Sequence, residues 1–359
     1  MDKQLLDLYT DYLISSFGKT TATGLSQLVK GAISHDEITR LLNSERATGA
    51  HLWQYVKPFV RTVESDDGVL IIDDSIEEKP YTDENEIICW HWDHSKNRNV
   101  KGINFVSALY YSQNVSLPVG FEIVAKTEEY LDEKSGQTKR RSPITKNAMA
   151  RRLIGDAVVH QIGFAYVLAD IWFASAENMN FIKLEQKKEF ILALKENRKV
   201  ALSLEDKLHG CYLRLDALAM PNNSTRIIFL EGVPFPLLLV KQLFTNEDGS
   251  HGLRYLVSSD IRLDFRQTTT IFQKRWKVEV YHRSLKQNAA LAQSPTRTVS
   301  TQTNHFFASL CAFVKLERLT LATRRNHYAL KSSLYIRALH SAFDELLTLK
   351  HAFPQVTSA

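Results

Sequence analysis

No apolar run in this chain of 359 residues approaches the roughly eighteen residues that a membrane-spanning helix needs. The longest candidate, Pro234–Val240, is far shorter, so no membrane partner is expected. Cysteine is scarce: Cys89, Cys211 and Cys311 lie far apart, which excludes a disulfide framework and fits a reducing compartment. The opening residues, MDKQLLDLY, lack the basic stretch and apolar core of a secretory signal, so a cytoplasmic location is expected. The Gly-rich loop that cradles nucleotide phosphates is missing as well, which argues against ATP-driven work. Neither a G-x-S-x-G elbow nor an H-E-x-x-H helix occurs. The segment Cys89-Trp90-His91-Trp92-Asp93-His94 has the look of a zinc fragment, but further ligands at usable spacing are lacking. It reads instead as half-buried aromatic packing, or as a loop whose Trp rings face nucleic acid.

Charge is present and unevenly placed. The net charge is +5 and the pI about 8.9. Lys134, Lys139, Arg140, Arg141, Lys146, Arg151 and Arg152 follow one another with no acid between Glu133 and Asp156. A second basic group, Lys274, Arg275, Lys277, Arg283 and Lys286, runs through one helical-looking segment. Each group either neutralises phosphates or forms a solvated helix face.

Apolar spacing divides the chain. Residues 1–62 read as helical, with Leu5, Leu8, Tyr12, Leu13 and Phe17 at helical intervals and Ser34 and Asp36 placed for an N-cap. They form a bundle or a DNA-binding helical module. At Gly68 the pattern changes: Val69-Leu70-Ile71-Ile72 is a continuous β-branched and aliphatic run, as in a strand buried on both faces. Strand-like runs follow at Ile103–Tyr111 and Leu117–Val124, then a helix over Ile144–His160 and a buried strand over Phe164–Leu168. A helix over Ala176–Gln186 and a strand over Phe190–Leu194 close this region, 63–197. Segment 198–262 is β-rich, with runs at Tyr212–Leu215, Thr225–Leu230, Pro236–Leu243 and Leu253–Val257. From 263 to 359 the pattern is again mostly helical. The fold class expected is α/β: a mixed sheet with flanking helices, a β-rich insertion, and helical N- and C-terminal regions.

Acids stand where such sheets place chemistry. Asp73 or Asp74 ends the first buried strand, Asp170 ends a later one, and Glu279 lies in a helix predicted over Ile271–Leu285. Carboxylates are hard oxygen donors suited to Mg²⁺ or Mn²⁺. Three of them are a sensible minimum for two ions about 3.5–4 Å apart that act on one phosphoryl transfer.

Around Glu279 an aromatic, two residues, Arg, three residues, Glu, six residues and Lys are spelled by Phe272, Arg275, Glu279 and Lys286. This pattern resembles the signature of IS4-type insertion-sequence transposases, and the phrases LIIDDS and VLADIWFAS are similar to their first and second aspartate motifs. The nearest likeness is to the IS701-like branch, over residues 30–320. The family has Tyr where this chain has Phe272, so the aromatic packing is kept and the hydroxyl is not. The resemblance implies an RNase H-like core with Asp73, Asp170 and Glu279 as catalytic residues and as ligands of two Mg²⁺ or Mn²⁺ ions. A Ser two places after the first aspartate favours Asp73, with Ser75, over Asp74. Arg275 and Lys286, with Lys139, Arg140 and Arg141, would contact DNA. The β-rich insertion before the glutamate would help position DNA ends. The implied partners are double-stranded DNA, both terminal inverted repeats and target, and a second copy of the chain when assembled on DNA. The implied setting is the bacterial nucleoid. Two other readings remain: a nuclease on the same core that cuts without joining, and a DNA-binding protein without chemistry.

Overall fold

The computed structural model describes residues 2–94, 96–133, 136–246 and 248–352. Two compact units emerge: Met1–Arg46 together with Arg283–Ala359, and Ala47–His282.

The first unit opens with α1 (Lys3–Ser15), α2 (Ala22–Leu28) and α3 (His35–Leu42). Asp2 caps α1 through its side chain. Ser34 caps α3 in a reciprocal box with Glu37, which satisfies backbone donors at both positions. The unit ends in α10 (Val299–Thr323) and α11 (His327–Ala352). Tyr9 donates to or accepts from His305 Nδ1 at 3.0 Å, and Asn304 donates to the carbonyl of Leu42, so buried polar groups of α10 fix the first helices to it.

The second unit begins with α4 (Gly49–Val63) and then builds the sheet. Its first strands are β1 (Val69–Glu78), β2 (Ile88–Asp93), β3 (Arg98–Ser112) and β4 (Val115–Ile123). A small hairpin follows, β5 (Glu128–Asp132) with β6 (Gln137–Arg141), and then α5 (Lys146–Val159). Next come β7 (Tyr166–Ala169), α6 (Ala176–Asn180), which continues as a π-helical turn, and β8 (Glu189–Leu194). The short strands β9 (Lys199–Val200) and β10 (Leu213–Arg214) pair with each other on either side of α7 (Leu204–Leu208). The strands β11 (Ser224–Ile228), β12 (Leu237–Thr245) and β13 (His251–Ser258) precede α8 (Phe265–Gln273) and α9 (Lys277–Gln287).

The sheet runs β11-β12-β13-β8-β7-β1-β3-β2, with β4 also on β3. Its heart, β4-β3-β1-β7-β8, is RNase H-like: three antiparallel strands, a crossover helix, then two strands parallel to β1. The β-rich insertion does not stand apart. β13 pairs with β8, so β11–β13 continue the same sheet, and only β9 and β10 form a separate ladder. Val69, Leu70, Ile71 and Ile72 are each at most 1% exposed. Each such side chain stabilises by about 1.5–3 kcal/mol on burial, enough together to offset the several kcal/mol of burying the carboxylate of Asp73, the next residue of the strand.

Candidate active site

The register of the sheet brings the two aspartates together. In the parallel pair β1–β7 the last matched residues are Ile72 and Ala169. The next residue along each segment is an aspartate, and Asp170 follows the end of β7. Asp73 does not end its strand as the apolar run suggested but lies mid-strand, because β1 runs on against β3 to Glu78. Neighbouring strands run about 4.8 Å apart. Successive strand residues face opposite sides, so Asp73 and Asp74 diverge. Asp74 turns to α5, where Lys146 Nζ holds its Oδ2 at 2.6 Å. Asp73, which is buried, faces the segment that carries Glu279. There Arg275 Nη1 lies 3.9 Å from its Oδ2, and His282 Nδ1 lies 4.0 Å away.

Electrostatics report the same convergence. Burial pushes the Asp73 carboxyl well above its usual range, and Asp170, Glu279 and Asp74 push it further, while Arg275 pulls the other way. Asp170 is also raised, by burial first; the backbone N–H of Trp172 and Arg275 lower it, and Asp74 and Glu279 raise it. These acids therefore repel one another, and the Arg275 guanidinium is the cation set among them. It also reaches Glu279 Oε1 at 3.5 Å, one helical turn on. Among the described residues, no three His, Cys, Asp or Glu side chains are drawn together closely enough to hold an ion as they stand. The donor chemistry nevertheless suits a hard divalent cation: mutually repelling carboxylates on two rigid adjacent strands and a helix.

The helix predicted over Ile271–Leu285 is interrupted. α8 ends at Gln273, a 3₁₀ turn spans Lys274–Trp276, and α9 starts at Lys277. Phe272 is buried, with Arg254 from β13 and Arg275 each stacked within 6 Å of its ring, at 5.8 and 5.9 Å. Aromatic packing is thus what this position supplies.

Two residues here were not anticipated. His282, buried three places after Glu279, accepts from or donates to Ser107 Oγ at 3.4 Å and sets its ring edge-on to Phe105. Ser107 is the register partner of Asp73, so His282 buttresses the strand pair that carries the acid. An E-x-x-H spacing puts both side chains on one helix face, and that was the available signal. Arg254, half-buried beside Arg275, has no carboxylate partner among the described residues. It comes from a strand far away in sequence, and nothing local marks it.

The remaining basic residues lie elsewhere. Lys139, Arg140 and Arg141 are on β6, ion-paired with Asp132, Glu84 and Glu128. Lys286 is in the last turn of α9. Lys134 lies outside the described residues. The Cys89 thiol is buried, with His91 Nε2 at 3.5 Å from its sulfur.

With this geometry in place, the chain was compared with known proteins. The family described as DDE superfamily endonuclease matches residues 2–206, which include Asp73 and Asp170. A second, described as Transposase DDE domain, matches residues 143–314, which include Asp170 and Glu279. The chain belongs to the DDE superfamily endonuclease family. A search of curated proteins finds no match. Among solved structures, the Drosophila P element transposase strand transfer complex aligns with TM-score 0.30 and 10% identity, over 59% of this chain and 50% of that one. The chain spans about half the length of that relative. No helix among the described residues is long and apolar enough to cross a membrane.

Proposed function

We propose that this chain is a transposase that cuts DNA at insertion-sequence ends and joins the freed 3′ ends to target DNA by in-line phosphoryl transfer. One observation carries the reading: Asp73 and Asp170 occupy matching steps on adjacent parallel strands, with Glu279 close enough to raise the pKa of both. Asp73, Asp170 and Glu279 would hold two Mg²⁺ or Mn²⁺ ions, with Asp73 rather than Asp74 because Asp74 is committed to Lys146 on the other face. Such ions, when bound, stabilise the attacking and leaving oxygens of the displacement.

The chain's own residues do the rest. The middle of β1 and the end of β7 hold Asp73 and Asp170 to the precision such a site needs. Arg275 offsets part of the burial and mutual repulsion that raise Asp73 and Asp170 before DNA arrives. On DNA, Arg275, Arg254 and Lys286 would take backbone phosphates, which positions the duplex without reading its sequence. Lys139, Arg140 and Arg141 extend that contact. The motif Phe272–Arg275–Glu279–Lys286 supports placement in the IS4-type group and its IS701-like branch, hence a bacterial nucleoid setting. Substrates would be double-stranded terminal repeats and target DNA, engaged by two copies of the chain.

A plasmid carrying the element's terminal repeats tests this directly. The parent protein should nick and join it in Mg²⁺ or Mn²⁺, and Glu279→Gln should bind the ends in a gel-shift assay yet cut nothing. Full cleavage by Glu279→Gln would refute the site. Binding by the parent without any metal-dependent cutting would favour the DNA-binding protein without chemistry, and cutting without joining the nuclease.

A further inference from the structure

An alternating line of rings and guanidinium groups runs from the β12–β13 hairpin to the acids. Phe244 is the register partner of Gly252, and its ring lies over that glycine, where a Cβ would meet ring atoms at 2.3 and 2.5 Å. Arg254 stands two residues further along β13, on the same face and diagonally across from Phe244. Its guanidinium stacks 4.9 Å from the Phe244 ring and 5.8 Å from the Phe272 ring in α8. Arg275 lies 5.9 Å from the same Phe272 ring, and it reaches Asp73 at 3.9 Å and Glu279 at 3.5 Å.

The two guanidinium groups are unequally served. Arg275 has carboxylates beside it, whereas half-buried Arg254 has none among the described residues. Burial, and after it the Arg275 charge, lower the pKa of Arg254. Like charges that share one ring repel each other, and the repulsion presses Arg275 towards the acids. There it supplies positive charge that a divalent ion would otherwise supply.

We propose that Arg254 and Arg275 together bind one tetrahedral oxyanion, a backbone phosphate of DNA, and that this anion promotes loading of the acid cluster by drawing Arg275 away from it. An anion shared by two guanidinium groups removes their repulsion and suits their planar, forked donors. Asp73 and Glu279 then lose their resident cation, and the acids, left repelling one another, bind a divalent ion more tightly. The coupling is reciprocal, since an ion on the acids frees Arg275 for the anion. Arg254 is thus a positioning residue that acts through Arg275. Phe244, seated over Gly252, holds Arg254 towards Phe272 and gives the insertion hairpin a part in the site. The inference rests on the reading that Asp73, Asp170 and Glu279 hold divalent ions, and it adds an order to their loading.

The test titrates Mn²⁺ into the full chain and reads free Mn²⁺ by electron paramagnetic resonance, in chloride and in sulfate of equal ionic strength. Sulfate stands for the phosphate and should tighten Mn²⁺ binding about fivefold or more, the lower end of couplings between sites. Arg254→Ala should show one affinity in both buffers, after the same correction for ion pairing between Mn²⁺ and sulfate. Gly252→Ala displaces the Phe244 ring without touching the acids and should lose part of the sulfate effect. Arg275→Ala should bind Mn²⁺ more tightly than the parent in chloride and gain nothing from sulfate. An undiminished sulfate effect in Arg254→Ala overturns the proposal. So does a sulfate effect that persists when the chain is saturated with a short DNA duplex, because DNA phosphate should already fill the site. Absence of Mn²⁺ binding in either buffer would refute the metal site and this inference with it. Mn²⁺ binding that sulfate leaves unchanged in the parent refutes this inference alone.

Discussion

Arg275 Nη1 lies 3.9 Å from Asp73 Oδ2, so a helix-borne guanidinium reaches a carboxylate in the middle of a central strand. The same group lies 3.5 Å from Glu279 and lowers the pKa of Asp73 and Asp170. It thus stands in part for the cations these acids need. Removing it with Arg275→Ala should lower Tm in EDTA, because the acids then repel one another with nothing between them. Added Mg²⁺ or Mn²⁺ should raise Tm in both proteins through binding to the folded state, and more in the variant, which has no competing guanidinium. Thermal unfolding with and without metal decides this; equal, null shifts in both proteins would mean the acids hold no ion.

Asp73 and Asp74 should separate cleanly by mutation. Asp73→Asn removes the carboxylate that faces Arg275, His282 and Asp170, and nicking should fall to background. Asp74→Asn breaks the contact to Lys146 on the opposite face, a supporting interaction, and should cost about 10–100-fold at most. Nicking rates in Mn²⁺ compare the two. If Asp74→Asn is the dead variant, the strand's facing has been assigned to the wrong residue.

How far the residues alone carried this site follows from which signals are local. A run such as Val69–Ile72 is visible because burial on both faces demands continuous apolar side chains. The strand it starts, β1, nevertheless runs on through Asp73 to Glu78, since its polar second half is held by pairing with β3 rather than by apolar side chains. Ser34 with Glu37 is visible for the same local reason. The joining of β13 to β8 was not visible, since pairing partners leave no mark on either strand's own pattern. The 3₁₀ turn at Lys274–Trp276 was hidden too, because tightening one turn leaves the apolar spacing almost intact. Arg254 was missed on both counts: it is distant in sequence, and its importance lies in having no carboxylate partner among the described residues. His282 had a signal, its spacing from Glu279, but its function as a buttress depends on Ser107 in another strand.

His282 gives a prediction of its own. It contacts Ser107 and Asp73 from within the core, so His282→Gln should reduce nicking by about 10–100-fold while leaving DNA binding close to normal. Ser107→Ala removes only the outer hydrogen bond and should cost less. If the double variant is no worse than His282→Gln alone, the two act as one unit, and a purely additive result would contradict that coupling.

His91 links folding to pH. Burial, then Lys126 and Lys146, lower its pKa from 6.5 to about 3. The unfolded chain therefore binds a proton between these values that the folded chain does not. His91 contributes stability in full above its unfolded pKa, and that contribution is lost as pH falls towards the folded one. At about pH 5 the loss should approach roughly 2 kcal/mol, taking 1.36 kcal/mol per unit. Urea unfolding near pH 6.5 and near pH 5 should show a steeper loss in the parent than in His91→Gln; parallel losses would mean that His91 titrates normally.

The hairpin β5–β6 allows a sharper test of DNA contact than simple removal of its cations. Lys139, Arg140 and Arg141 already carry carboxylate partners in Asp132, Glu84 and Glu128. A cation that is already neutralised releases fewer counterions when it meets a phosphate. Replacing all three with Ala should therefore lower the salt slope by clearly less than the roughly 2.7 units that three unencumbered contacts with duplex DNA would give. Exposed pairs of this kind are worth little to folding, so breaking them from the acidic side leaves the hairpin intact. Glu84→Gln with Glu128→Gln frees two guanidinium groups and should strengthen DNA binding while steepening its salt dependence, if the hairpin lies on the duplex. The paired variants then move affinity in opposite directions from the same ion pairs, which a folding defect cannot imitate. Should the Gln variant bind DNA with the parent's affinity and slope, β6 lies off the DNA path and its basic run is a solvated edge.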